Sequence, residues 1–234
     1  MTEIKIHHDV EVQLIDFMGD DFSIAQAARV STLGANETFD GQKDKGLINY
    51  LMKERHGSPF EHVVFKFYVA APIFVFREFH RHRIASYNEM SGRYTTLPPD
   101  FYIPGDDRPL VNVGTSARPE FAEGSAQQRV ELSEEMFEVY DRAWKGYQHL
   151  LNLGVANEVA RMVLPVGIFS QMYVTMNLRG IFNFLSLRTH RSDARHISRP
   201  QREIEMVAEK IEIKVADICP IAWEAFQKNG RVAP

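Results

Sequence analysis

The chain contains one cysteine, Cys219, in 234 residues. A single thiol excludes an intrachain disulfide framework and a cysteine-built zinc site. Long apolar runs are missing as well. The longest, 68–76, includes Pro72 and falls far short of the roughly 20 residues that a membrane helix requires. No signal-peptide apolar region stands near the N-terminus. Excess charge of either sign is also absent: the formal net charge is −4, whereas a general nucleic-acid binder carries a basic face and a high pI. There is no internal repeat and no low-complexity tract. These absences lead to the expectation of a soluble, cytoplasmic protein that partners neither membrane nor nucleic acid. The 44% of hydrophobic residues is enough for one substantial core.

Apolar periodicity predicts the elements. Val10, Val12 and Leu14 alternate with polar residues, and so do Val63, Phe65, Phe67 and Val69, as in half-buried strands. Asp20 or Asp21 is placed to cap a helix through Ala28, and 34–46 reads as a polar loop. Asp44 is placed to cap a second helix with Leu47, Ile48, Leu51 and Met52 on its apolar stripe, stopping at His56 and Gly57. Pro72 opens a helix through about Arg83. Residues 98–124, with five prolines and three glycines, form an ordered or mobile excursion, with a lid role left open. A long amphipathic helix over 129–153 carries Met136, Phe137, Tyr140, Trp144, Tyr147 and Leu151. A short helix ends at Pro165, and Met172, Val174 and Met176 alternate as a strand. Further helices start near Leu178 and Gln201, the last burying Ile204, Val207, Ile211 and Val215. The expected fold is α+β: one mixed α/β domain over 1–234, a β-sheet flanked by helices.

The basic residues are concentrated. Residues 81–94, RHRIASYNEMSGRY, hold three arginines, two serines, an asparagine and a glutamate, with only Ile84, Ala85 and Met90 plainly apolar. Packing does not account for such a segment. Its chemistry suits a phosphorylated, hydrogen-bonding ligand. On the expected helix, Arg77 and Arg81 share a face, and the cluster of His80, Arg81, His82 and Arg83 at its end would repel without an anion. His80 and His82 would project about 200° apart and have no cysteine partner, so no metal site is expected. In the run 89–93, Gly92 lets the backbone approach a ligand, Ser91 offers a hydroxyl, and Arg93 can grip two phosphate oxygens. Asn177, Arg179 and Asn183 cluster at another helix start, where amides and a guanidinium suit a ring edge or a phosphate. Arg188 lies about 140° around that helix from Asn183 and is not expected to share its face. It serves another part of the ligand or a neighbouring subunit's site.

The stretch 81–94 matches every fixed position of RHRxxSxNExSxRY, the signature of the flavin-dependent thymidylate synthases. The chain resembles that family also at 28–31 (ARVS), at 56–62 (HGSPFEH) and from Asn177 to Arg188, so the similarity runs over most of its length. The resemblance implies a mixed α/β homotetramer with active sites shared between subunits, using FAD, NADPH and 5,10-methylenetetrahydrofolate to convert dUMP to dTMP. It implies flavin contacts at Ser58, Arg81, His82, Arg83, Glu89, Asn177, Arg179 and Asn183. It implies nucleotide contacts at Glu78, Phe79, His80, Arg81, Glu89, Met90, Ser91, Gly92, Arg93, Arg161 and Arg188. Arg188 takes the place of the arginine that promotes ionisation of the uracil imide. Two departures stand out: Ser58 occupies a position often held by threonine, and 189–200 is longer than in the shorter family members.

Methylating uracil by the more familiar route uses a cysteine thiolate to activate carbon 5. Cys219 stands before Pro220 in an apolar-rich helix without a basic activating cluster, so a buried structural thiol is expected. Ser91 has no recognisable His/Asp relay and reads as a hydrogen-bonding group. Two other readings remain open from the residues alone: a non-catalytic phosphate or RNA binder built on the Arg77 to Arg93 cluster, and a flavin-dependent methyltransferase acting on uracil within RNA.

Overall fold

Val63, Phe65, Phe67 and Val69 are all fully buried, and the alternation that buries them makes Val64–Pro72 a strand (β3). The computed structural model describes residues 3–34 and 40–234. Its chain is mixed α/β and divides into two compact units, 1–11 with 70–79 and 89–172, and 12–69 with 80–88 and 173–234.

In the first unit, Lys5–His7 (β1) pairs in parallel with Asp100–Tyr102 (β5), Ile6 opposite Phe101. Val111–Asn112 (β6) pairs antiparallel with Phe121–Ala122 (β7). The proline-rich excursion thus contains three short strands. The long helix is Ala126–Asn152 (α4), opened by a capping box between Ser125 and Gln128. Tyr140, Trp144 and Tyr147 face inward from it with Ile4, Leu97, Phe101, Ile103 and Ile168. The Phe101 and Tyr140 rings stack at 4.8 Å. Phe137, expected on the stripe, is 44% exposed. The helices Ile73–Phe79 (α3) and Asn157–Ala160 (α5) and the 3₁₀ turn Arg161–Val163 complete this unit.

The second unit holds, for most of their length, Glu11–Met18 (β2), β3, Phe169–Asn177 (β8) and Ser86–Glu89 (β4), bonded in the order β2-β3-β8-β4. Its helices are Asp21–Leu33 (α1), Gly41–Lys53 (α2), Leu178–Arg188 (α6), Arg202–Ile218 (α7) and Pro220–Lys228 (α8). Phe182, on the apolar side of α6, stacks on Phe226 of α8 at 4.4 Å. No helix among the described residues is long and apolar enough to cross a membrane.

Several sequence expectations need correction. Asp20 caps α1 with a capping box to Ser23, while Asp21 caps a distant element: its carboxylate oxygens accept the Ile221 and Ala222 N–H groups at the start of α8, each at 2.8 Å. Helix α1 runs five residues beyond Ala28. Asp40, not Asp44, caps α2. Asp44 is buried inside that helix, paired with Arg29 and accepting the Asp40 N–H. The expected loop at 34–46 therefore ends by Asp40, and its residues 35–39 lie outside the described residues. Helix α2 stops at Lys53, with Arg55 at a φ of 61°, before His56 and Gly57. Pro72 closes β3 and does not open α3. The final helical region is two helices meeting at Cys219.

The correction that matters most concerns α3, which ends at Phe79 and not at Arg83. Tyr87 donates its hydroxyl to the His82 carbonyl at 2.7 Å, and the His80 ring packs edge-on to Tyr87 at 4.8 Å. The returning chain takes the groups a longer helix would use. Arg77 and Arg81 therefore do not share a helical face, nor does a helical angle separate His80 from His82. Within the stretch 81–94, Ser86–Glu89 forms β4.

Candidate active site

The second unit contains a cavity of about 270 Å³ lined by 81–84, Met176, Gly180, Asn183, Leu187 and Arg188. Three of its lining residues are arginines and none of these lining residues is acidic. Helix α6 sets one wall because Gly180, Asn183 and Leu187 recur at helical spacing. Gly180 also lets the segment before β4 come close: a Cβ there would stand 3.0 Å from the Ile84 carbonyl oxygen. Asn177 caps α6, its side chain accepting the Gly180 N–H at 2.8 Å.

Arg188 and His82 are hydrogen-bonded to each other in the wall of this cavity. The Arg188 Nε–H donates to His82 Nε2 at 3.1 Å, which requires the proton of a neutral imidazole to sit on Nδ1. The ring lies edge-on to Phe184 at 4.9 Å and His82 is 8% exposed. Burial, reinforced by the Arg188 charge, holds the imidazole down to about 4 from its ordinary 6.5. His82 is thus a neutral acceptor at pH 7. Below pH 6.5 the unfolded chain takes up a proton here that the folded chain refuses. Stability from this group is therefore complete above that value and declines as pH falls toward 4. Acid melting curves should show the decline in the wild type and a smaller one in His82→Gln. Equal slopes would contradict the assignment.

Arg188 and Asn183 line one cavity, contrary to the expectation from their helical angle. A long side chain on the last residue of a helix is not held to its wheel position, and His82 draws this one across. Arg179, expected beside Asn183, does not line the cavity. Its Nη1 donates to Glu61 at 2.6 Å and its Nε to the Pro234 carbonyl at 2.9 Å. It lies across Gly57, where an added Cβ would meet its Nε at 2.4 Å. Gly57 has a φ of −76°, which alanine adopts freely. Ser58, exposed, begins the 3₁₀ turn Ser58–His62 next to it.

In the first unit the end of the motif forms a tight turn. The Tyr94 and Thr95 N–H groups both donate to the Ser91 carbonyl, each at 3.1 Å, and the Arg93 N–H to Ser91 Oγ at 3.3 Å. Gly92 is buried against Arg161 and Leu97, each 3.3 Å from where its Cβ would stand. Arg93 and Arg161 are exposed, and Arg93 Nε donates to Glu158 at 2.9 Å. Met90 packs partly into the aromatic core, while Glu89 is exposed at the end of β4. Glu78 is half-buried and His80 exposed, but Phe79 is fully buried; its side chain belongs to the core. A larger cleft of about 650 Å³, lined by residues including Thr96, Trp144, Gln148 and Asn152, has no titratable side chain in its walls.

The sequence model of the family described as thymidylate synthase complementing protein matches residues 13–221. A flavin-dependent thymidylate synthase of Streptomyces avermitilis is 51% identical over 231 residues, covering 97% of this chain and 94% of that one. That of Tropheryma whipplei is 49% identical over 229 residues, covering 97% and 95%. The chain belongs to the flavin-dependent thymidylate synthase family. Among solved structures, a UMP/dUMP methylase from Streptomyces cacaoi bound with 5-Br UMP has a TM-score of 0.94 and 44% identity, covering all of both chains.

Against the family signature, Arg81, His82, Arg83, Asn183 and Arg188 converge on one cavity, whereas Arg179 and Ser58 gather around Gly57. Sequence reasoning did not select the cavity's apolar wall of Ile84, Met176 and Leu187, nor Gly180. The spacing of Gly180, Asn183 and Leu187 on α6 was the available signal. Glu61, inside the 56–62 stretch but given no role there, and Glu158 are the carboxylates that hold Arg179 and Arg93. Gly57→Ala is expected to displace Arg179 from its Glu61 and Pro234 contacts while leaving the melting temperature within a few degrees. A variant structure with both contacts intact would contradict this.

Proposed function

We propose that this chain, acting as a single catalytic domain over 1–234, reductively methylates dUMP to dTMP. The one-carbon donor would be 5,10-methylenetetrahydrofolate, with FAD as the bound cofactor and NADPH as the reductant. The active form is a cytoplasmic homotetramer with sites shared between subunits. Membership of the family supports the reaction, as do relatives at about half identity that bear its name. The bound nucleotide of the Streptomyces cacaoi neighbour supports a uracil nucleotide as substrate. The observation that carries the reading is the Arg188 guanidinium, oriented by a neutral, buried His82 in a cavity rich in arginine.

The cavity fits part of a phosphorylated flavin cofactor. Three guanidinium groups without a lining carboxylate call for an anion, and Ile84, Met176 and Leu187 offer an apolar surface to a ring. Its volume of about 270 Å³ lies at the lower edge of the roughly 300–1,000 Å³ usual for small-molecule pockets, so it would take one part of the cofactor only. Ser58, Arg81, His82, Arg83, Glu89, Asn177, Arg179 and Asn183 would hold the flavin, which when bound supplies hydride to the pyrimidine's new carbon. Glu78, Phe79 through its main chain, His80, Met90, Ser91, Gly92, Arg93 and Arg161 would bind the nucleotide, together with Arg81, Glu89 and Arg188.

Arg188 then stabilises the negative charge that develops at the uracil imide as carbon 5 becomes nucleophilic. Its inner edge is tied to His82, so the cation is oriented before substrate arrives and needs little rearrangement in the transition state. Arg93 and Arg161, both exposed near the Ser91 turn, bind phosphate. Cys219 takes no part. It is fully buried at the junction of α7 and α8 and is not in the cavity wall. Burial, with the Asp21 and Asp20 charges behind it, pushes its thiol far above the ordinary range. Cys219→Ala is expected to keep turnover within about threefold of wild type, a surface-independent core change of modest volume. Abolished turnover with an unchanged melting curve would restore a thiolate route.

The reading is tested by anaerobic spectroscopy of purified protein. Oxidised-flavin absorption that bleaches with NADPH is expected, and colourless, folded protein that acquires no absorption with added FAD would overturn it. Because the Streptomyces cacaoi neighbour is a methylase of UMP as well as dUMP, both nucleotides are to be assayed. Product from UMP at a comparable rate would establish a second substrate.

A further inference from the structure

We infer that Arg231 is a positioning residue for Arg188, acting through the hydroxyl of Thr189. The inference rests on the role proposed above for Arg188 and deepens it.

Helix α6 ends at Arg188, and the chain turns extended at Thr189, with φ −125° and ψ 138°. Thr189 is 3% exposed. Its Oγ1 donates to the Leu185 carbonyl at 2.7 Å and accepts from Arg231 Nη2 at 2.9 Å. One hydroxyl therefore closes the last turn of the helix and fixes the residue next to Arg188. The neighbours are held as well. Ser198 Oγ donates to the Leu187 carbonyl at 2.5 Å, and the His190 N–H donates to Glu205 at 2.7 Å.

Arg231 is itself a costly residue to place there. It is 5% exposed, its φ is 56°, in the left-handed region that non-glycine residues avoid, and its guanidinium lies over the Trp223 and Phe226 rings at 5.2 and 5.1 Å. Glu212 accepts from it and, through Oε2, from Arg191 at 2.8 Å. A buried ion pair is weak support for stability, since apolar replacements often hold a core as well. A strained backbone persists where surrounding contacts over-determine it, commonly beside a functional group. Here the functional group is one residue away from the hydroxyl that Arg231 grips. With 187–190 fixed, the Cα–Cβ direction of Arg188 is fixed as well, which starts the side chain toward the His82 acceptor that holds its far end at 3.1 Å.

The test uses Arg231→Lys, which keeps charge but loses the forked donor, and Thr189→Val, which removes the hydroxyl at nearly equal volume. Thr189→Ser serves as the rescue. Turnover with dUMP, NADPH and methylenetetrahydrofolate is measured with flavin content, and His82 is titrated by NMR on selectively labelled protein. The charged or titratable groups around that imidazole are Arg188 on α6, Arg81 and Arg83 on its own segment, and Tyr87 of β4 with His80 against it.

Arg231→Lys and Thr189→Val should each lower kcat by about ten- to a hundredfold, as small misplacements of a catalytic group do. KM for dUMP should change less. In both variants the His82 titration should move up from about 4 as the guanidinium withdraws, and Thr189→Ser should restore both readouts. If Arg231→Lys does not fold, Thr189→Val decides. Variants that melt earlier but keep wild-type kcat and an unmoved His82 titration would reduce Arg231 to a stability residue. Wild-type protein that makes no dTMP would instead defeat the proposed function. The His82 titration would still report whether Arg231 steers Arg188.

Discussion

Arg188→Ala is expected to lower dTMP formation by about a hundred- to a thousandfold, the usual loss on removing one preorganised donor to developing charge. The protein should fold and retain most of its flavin. Arg188 is the last residue of α6 and only half-buried, and Arg81, His82, Arg83 and Asn183 remain around the cavity. On the proposed role, loss should appear mainly in kcat, because the charge a guanidinium at the imide would oppose is larger in the transition state than in bound dUMP. Arg188→Lys would keep the positive charge but lose the Nε–H that His82 accepts, so it should recover only part of the activity. Near-normal turnover by the alanine variant would remove electrostatic activation by this residue.

Phe182→Ala should be the most destabilising single change near the site. The ring is fully buried on α6, stacked on Phe226 at 4.4 Å and edge-on to Phe60 at 6.2 Å. Emptying such a position costs about 3–5 kcal/mol, a drop of roughly 6–20 °C in melting temperature for a chain of this size. Arg179 and Asn183, both proposed flavin contacts, lie on the same helix, so on that proposal flavin retention should fall with it. Phe182→Leu, which leaves a smaller cavity, should lose less of both. Unchanged melting of the alanine variant would mean that the ring cluster does not hold α6 in place.

Strands β2, β3 and β8 and the long helices were legible because burial repeats within one element, whereas β1, β4, β5, β6 and β7, of two to four residues each, are too short to show a period. Phe65 and Phe67 on β3, Val174 and Met176 on β8, and Tyr140, Trp144 and Tyr147 on α4 each announce their face by spacing alone. What the spacing did not carry were contacts made by residues far apart. Nothing near Asp21 indicates that it caps a helix starting 199 positions later at Pro220. The helical pattern through 73–83 ignored Tyr87, whose hydroxyl takes the His82 carbonyl after the chain turns back. For Arg188, a helical wheel fixes the Cβ direction but not the end of a four-bond side chain. The apolar part of the cavity, drawn from β8, α6 and the segment before β4, has no signature in any one of them. The motif 81–94, by contrast, was readable because its polarity has no use in a core.

The most direct measurement is product formation by purified protein supplied with FAD, NADPH, methylenetetrahydrofolate and dUMP. The account predicts dTMP, formed at similar rates by wild type and Cys219→Ala and nearly abolished in Arg188→Ala. Flavin-loaded wild-type protein that oxidises NADPH yet yields no dTMP, or a Cys219→Ala variant that folds but makes none, would contradict it.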